Sequence, residues 1–271
     1  MKKYTRLNFL LVILVACSAT SISCSSRSQN LYEQATVENE KGHYRAAVDL
    51  LEKTSQLEKD NFNKYKYLGE AARIIRFELQ EYERSIRELR TIILGSEDES
   101  QRIAAQEAIT EIYLENLQNY ESALKELQIL EPLLNDSKKK EKIRLRIAQS
   151  LYLTGHNQQA LEEITSAEKY IKFQSLNFSK LKAEILLAEK KYKDAIQTYE
   201  DIRNRNQQYF ADENLYIATS VVYEENEQYT DALNYLVKNE SFVKDKPYYD
   251  LRIKRLKSLI ANKPLSRGVH K

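Results

Sequence analysis

Gly42-His43-Tyr44-Arg45-Ala46-Ala47, with Leu51 beyond it, decides the fold, because its pattern returns along the chain. An aromatic residue or its substitute is followed three positions later by a small residue, and four further on by an apolar one. The copies are Tyr44/Ala47/Leu51, Tyr82/Ser85/Leu89, Tyr120/Ala123/Leu127, Asn157/Ala160/Ile164, Tyr192/Ala195/Tyr199 and Tyr229/Ala232/Leu236. Their starts lie 38, 38, 37, 35 and 37 residues apart, a regularity that marks an internal repeat. Offsets of three and seven share one helix face. The small residue lets the preceding antiparallel helix come close, the aromatic ring covers the junction, and the last residue seals the seam.

The upstream half of each unit is a second periodic helix. Ile147, Ala148, Leu151 and Tyr152 precede the Asn157 copy; Leu181, Ala183 and Leu186 precede Tyr192; Tyr216, Ser220 and Tyr223 precede Tyr229. Short polar links such as Gly155-His156 and Glu189-Lys190-Lys191 join the two halves. Composition agrees with a helical array. Of 271 residues only 5 are Gly and 3 Pro, too few for a turn-rich β protein. Hydrophobic residues at 42% against 30% charged supply a core and exclude wholesale disorder.

These units resemble the tetratricopeptide repeat, a helix–turn–helix nominally 34 residues long. Gly42 to Ala47 and Lys190-Lys191-Tyr192-Lys193-Asp194-Ala195 match its turn and second helix; Ala35, Gly69, Ala148 and Ala183 match its first-helix small position, with Ala105 or Ala108 in the third copy. The resemblance implies an all-α superhelical solenoid with a concave and a convex side. Six repeats are expected over 30–240 as one cooperative array, because a hairpin alone leaves too much apolar surface bare. A capping helix is expected over 241–262, started by Pro247 and faced by Leu251, Leu256, Leu259 and Ile260, with a mobile basic tail at 263–271.

The amino-terminal end reads as an address. Lys2, Lys3 and Arg6 precede the apolar run from Phe9 to Ala16, the layout of a signal peptide and too short to span a membrane. Leu14-Val15-Ala16-Cys17 resembles the bacterial lipoprotein signal. That resemblance implies a signal peptide at 1–16, a lipidated Cys17 and a flexible Ser-rich tether over 17–29; Ser21-Ile22-Ser23-Cys24 is the weaker alternative site. Several acyl chains on one cysteine would anchor the protein stably. In lipoproteins of that kind an Asp just after the cysteine marks retention at the inner membrane; Ser18 there, or Ser25 after the alternative cysteine, means that the resemblance implies the outer membrane and its periplasmic side.

The rest of the chain offers little chemistry. It contains no further cysteine, so no thiolate site or internal disulfide is expected. His43, His156 and His270 are scattered, and His43 and His156 hold equivalent turns. Glu162-Glu163 and Glu97-Asp98-Glu99 read as solvated carboxylates. No phosphate-binding glycine loop or nucleophile elbow appears. No cofactor, metal or catalytic residue is expected.

Charge says more. Residues 31–130 hold 13 basic and 20 acidic side chains, whereas 244–271 hold 9 basic and 2 acidic. Arg252, Lys254, Arg255 and Lys257 are therefore candidate partner contacts, as are the first-helix tyrosines Tyr32, Tyr65, Tyr67, Tyr113, Tyr152 and Tyr223, which in this repeat family line the concave groove. The repeat-packing positions are Tyr44, Ala47, Tyr82, Ser85, Tyr120, Ala123, Ala160, Tyr192, Ala195, Tyr229 and Ala232. The near-balanced total charge gives no reason to expect nucleic acid.

Lipidated repeat proteins of this architecture are similar to type IV pilus pilotins, which assist the secretin pore, and to the lipidated repeat component of the barrel-assembly machinery. The expected function is a non-catalytic periplasmic scaffold, pilotin-like, with a β-barrel assembly factor as the alternative. A cell-wall-associated structural protein or cryptic hydrolase is the more distant reading. Expected partners are an envelope protein or extended peptide, such as a secretin, pilus or barrel-assembly component, with the membrane reached through covalent lipid.

Overall fold

The computed structural model describes residues 27–170 and 175–262. Cys17, Cys24, most of the expected tether and the 263–271 tail lie outside the described residues. The described residues divide into two compact units between Asn135 and Asp136. The first unit carries α1 (27–40), α2 (Tyr44–Leu57), α3 (Asn61–Phe77), α4 (Tyr82–Gly95), α5 (Glu99–Glu111) and α6 (Tyr120–Leu130). The second carries α7 (Ser137–Leu153), α8 (Asn157–Tyr170), α9 (Leu176–Ala188), α10 (Tyr192–Arg205), the short α11 (Gln207–Asp212), α12 (Leu215–Glu225), α13 (Tyr229–Lys238) and α14 (Lys246–Asn262).

Every second helix begins at the first residue of its sequence motif: Tyr44, Tyr82, Tyr120, Asn157, Tyr192 and Tyr229. Two residues earlier the backbone is left-handed each time, at Gly42, Gln80, Gln118, Gly155, Lys190 and Glu227, with φ from 49 to 80°. This residue reverses the chain between the two helices, and only two of the six positions use glycine, which adopts that conformation without strain. At the opposite ends, Asp60, Asp98 and Asp136 cap α3, α5 and α7 by accepting the backbone N–H of Asn63, Gln101 and Lys139 at 2.7–2.8 Å. Such a cap stabilises a helix by about 1 kcal/mol.

Each hairpin closes on a pair of small residues. The pairs are Ala35/Ala47, Ala72/Ser85, Thr110/Ala123, Ala148/Ala160, Ala183/Ala195 and Ser220/Ala232, and each member is at most 2% exposed. Where serine replaces alanine, its hydroxyl stays satisfied. Ser85 Oγ donates to the Ala72 carbonyl at 2.8 Å and Ser220 Oγ to that of Ala232 at 3.2 Å. This corrects the first-helix register in two repeats. Ala72, not Gly69, meets Ser85, and Thr110, neither Ala105 nor Ala108, takes the third position. Both hairpins hold one extra residue between the paired positions. It is absorbed in wide turns, with Glu81 N–H reaching Ile75 O and Asn119 N–H reaching Tyr113 O, beside a π-helical turn at Ile112–Asn116.

The third motif residues, Leu51, Leu89, Leu127, Ile164, Tyr199 and Leu236, are all buried, each contributing on the order of 1.5–3 kcal/mol. The leading residues Tyr44, Tyr82, Tyr120, Tyr192 and Tyr229 are half-buried, because the first position of a helix sits at the rim of the seam; Tyr44, Tyr82 and Tyr192 pack against the cores of their units. In the second unit α14 closes the core through Tyr249 and Leu256. Among the described residues no helix is long and apolar enough to cross a membrane.

Candidate functional site

The first helices display the exposed chemistry of each unit. On α3 of the first unit, Lys66, Glu70, Arg73 and Arg76 recur every three or four residues and so share a face. Tyr32 of α1 lies against this face: its ring is 4.8 Å from that of Tyr67, its hydroxyl donates to Glu70 at 3.2 Å, and Lys66 Nζ stands 5.6 Å from its centroid. Burial, followed by the Glu70 carboxylate, raises the Tyr32 phenol above its ordinary range. At the other end, buried Arg76 donates to Asn116 Oδ1 at 2.9 Å and to Glu111 at 3.0 Å. Arg73, between them, is exposed. One polar ladder thus joins α1, α3 and α5.

In the second unit the corresponding residues stand on α9. Lys180 pairs with Glu213 at 2.8 Å, and Asn177 accepts the Tyr209 hydroxyl at 2.7 Å. Burial pushes the Tyr209 phenol up to about 12. Glu184 lies one turn beyond Lys180; burial raises its carboxyl, with Lys180 opposing the shift. Burial, then Glu184 and Tyr152, raises the phenol of Tyr199 far above its ordinary range. Leu187, one turn further on, is half-buried.

The candidate tyrosines separate into two groups. Tyr65 and Tyr67, expected as partner contacts, are only 8% and 6% exposed. Tyr67 packs in one core with residues of α1 and α2, and Tyr65 in another with residues of α4 and α5, its hydroxyl occupying the space where a Cβ on Gly95 would stand. Tyr32, Tyr113, Tyr152 and Tyr223 are half-buried, and the Tyr223 ring packs at a tilt against that of Tyr235, 5.7 Å between centroids.

The basic end is corrected as well. Arg252 and Arg255 both donate to buried Glu224, at 2.7 and 2.8 Å, so they fasten α14 to α12. Lys244 pairs with Asp212, and Lys246 with Glu240 and Asp250. Lys254 and Lys257 remain exposed on α14.

Sequence reading missed Lys66, Arg73, Lys180 and Glu184. The signal was available: stepping back 12 or 13 residues from each second-helix small residue gives the first-helix register, and these positions then fall on its open face. Among the described residues no His, Cys, Asp and Glu cluster could hold a metal ion.

No protein-family model and no curated protein matches the chain. Solved structures do. A tetratricopeptide repeat protein from Parabacteroides merdae superposes with a TM-score of 0.58 at 15% identity, over 87% of this chain and 94% of that one. A STAND-type signal-transduction ATPase with a tetratricopeptide repeat sensor, from Pyrococcus horikoshii, gives 0.55 at 20% identity over 85% of this chain. This chain spans 38% of that protein's length. PilF of Pseudomonas aeruginosa aligns at 0.46 and 14% identity, a likeness too loose to bear on function. The fold is all-α and of the tetratricopeptide-repeat type.

Proposed function

We propose that this chain is a non-catalytic protein-binding scaffold, held by lipid on Cys17 at the periplasmic face of the outer membrane, where it assists assembly of an envelope complex in the manner of a pilotin. The observation that carries the binding part is the line of side chains on the first helices of each unit. Lys66, Arg73 and the half-buried Tyr32 in one, and Lys180, Glu184 and Leu187 in the other, are held by packed helices and reach solvent. An extended peptide could lay its own charges and apolar groups along such a line, at little entropic cost to the scaffold. The lipoprotein-like signal before Cys17 supports the location.

Site-specific photocrosslinking in cells tests this reading, with the probe at Tyr32, Arg73 or Leu187. Capture of a secretin or pilus component supports the pilotin-like role, and capture of barrel-assembly components supports the alternative. Failure of every probe to capture a protein more than a probe on the outward residue Gln197 would overturn the scaffold reading. Cys17→Ser should move the protein to the soluble fraction while Cys24→Ser leaves it bound; the reverse would move the anchor to Cys24.

A further inference from the structure

The two ends of the described chain differ in a way that invites a second copy. Within the first unit, α2 packs on α3, so the second hairpin has a helix on its leading side. The first hairpin has none there among the described residues. Between α1 and α2 it leaves an open groove of about 710 Å³. Val37, Ala46 and Leu50 form its apolar lining, and Glu33, Glu38 and Asp49 its acidic rim. Lys41 sits in the same rim and pairs with Glu38 at 2.9 Å, leaving the groove net acidic. Val37 is 45% exposed, although it stands on the same helix as wholly buried Ala35.

At the other end, α14 follows α13 as a first helix without a second helix after it among the described residues. Tyr249 and Leu256 bury one side, and Arg252 and Arg255 clamp its flank to Glu224. Leu251, Lys254, Ser258 and Ala261 recur every three or four residues on the opposite side and are all exposed, Leu251 by 62%. Lys254 and Lys257 make no ion pair among the described residues. This side thus presents an apolar knob with unpaired cations next to it. The groove presents an apolar floor with carboxylates around it.

We infer that the α1–α2 groove is a docking site for α14 of a second copy of this chain, a head-to-tail contact. Leu251 would meet Val37 and Leu50, while Lys254 and Lys257 would face Glu33 and Asp49. The two surfaces differ, so the contact is heterologous and each bound copy leaves one groove and one helix free for a further copy. The charge pairs lie at the rim and steer encounter, so added salt weakens the association. The inference is independent of the lipid and of any envelope partner.

Sedimentation equilibrium of the full chain in detergent tests it, beside two charge-reversed variants, Glu33→Lys/Asp49→Lys and Lys254→Glu/Lys257→Glu. The unaltered chain should gain mass with concentration at low salt and lose that gain at high salt. Either variant alone should associate roughly tenfold or more weakly. An equimolar mixture should associate again, because the unaltered α14 of one variant meets the unaltered groove of the other. All four substituted side chains are solvent-facing, and helix content by circular dichroism should stay unchanged. Leu251→Ser, without any charge change, should weaken association as well. An unaltered chain that stays monomeric overturns the contact, even if its groove takes up a basic helix from another protein. Variants that associate like the unaltered chain overturn it, as does a mixture that fails to recover.

Discussion

The two units solve one packing problem with unequal regularity. In the first, successive second helices start 38 residues apart, and Asp60 and Asp98 cap the first helices that follow. In the second, the corresponding intervals are 35 and 37 residues, Ser175 makes no side-chain cap, and α11 is inserted before α12. Yet the small residues that meet across each hairpin stay 12 or 13 apart throughout. What is held constant is the seam; length varies in the links and turns, where an added residue is cheap. The units also pair their buried charges differently. The first buries a cation, Arg76, against carboxylates that reach water, and an anion, Glu126, against Arg90 and Gln106; the second buries Glu224 against two arginines of α14.

The Glu224 pair sets the largest expected effect. Glu224→Ala leaves Arg252, only 11% exposed, without its counterion. Removing one partner of a buried pair costs about 3–5 kcal/mol, and here the loss should release α14 from the second unit. Arg76→Ala strands Glu111 and Glu115, which are about half exposed and can rehydrate. Its cost should be smaller, roughly 1–2 kcal/mol from lost hydrogen bonds. Urea unfolding followed by hydrogen exchange separates the two: loss of protection confined to α14 belongs to Glu224→Ala alone. Equal costs would mean that the two sites do not differ in solvent access.

The seams come next. Ala195 and Ala123 are both wholly buried, so a leucine at either should cost about 1–3 kcal/mol by overpacking. Ser85→Ala is the sharper probe, because the hydroxyl and its Ala72 carbonyl acceptor are both buried. Its cost should be about 1 kcal/mol. If chemical denaturation finds Ala195→Leu neutral, the seam is not the fixed element of the comparison.

Much of this was legible beforehand, for a physical reason. Tyr44/Ala47/Leu51 and its echoes repeat because each seam needs a small residue opposite a small residue, so the second helices could be placed to the residue. The first helices were harder to register. Ala72 and Thr110 sit beside other small residues, and only the wide turns after Ile75 and Tyr113 decide which of them faces the seam. The binding face suffered from the same slip. Tyr65 and Tyr67 read as groove residues, yet each is buried in a core cluster. Arg252 and Arg255 read as free charge because Glu224, their counterion, lies about 30 residues away in sequence.

A smaller effect lies in the hairpin turns. Gly42 and Gly155 adopt left-handed backbone with open space where a Cβ would go. Alanine at either should therefore cost on the order of 1 kcal/mol from backbone strain alone. Lys190→Gly and Gln80→Gly remove the same strain and should each stabilise by up to about 1 kcal/mol. Thermal melts of the four variants should move in opposite directions by pair. Uniform loss would mean that the turn side chains contribute contacts outweighing the strain.

The smallest effect is a dependence on pH, and it distinguishes α9 from its counterpart α3. Burial raises the Glu184 carboxyl above its unfolded value, so the folded state holds that proton more tightly than the unfolded chain does. The sign follows from linkage: stability falls as pH rises from the ordinary glutamate range through the raised value, and stays lowered above it. Glu184→Gln removes the ionisation and keeps the shape. The variant should melt higher than the parent at pH 7 and lose that advantage as the parent's carboxyl protonates on acidification. On α3, Glu70 accepts the Tyr32 hydroxyl. Glu70→Gln should give no gain at pH 7, since the amide is a weaker acceptor than the carboxylate. A Glu184→Gln variant whose melting difference from the parent is constant between pH 4 and 7 would show that this carboxylate is well solvated.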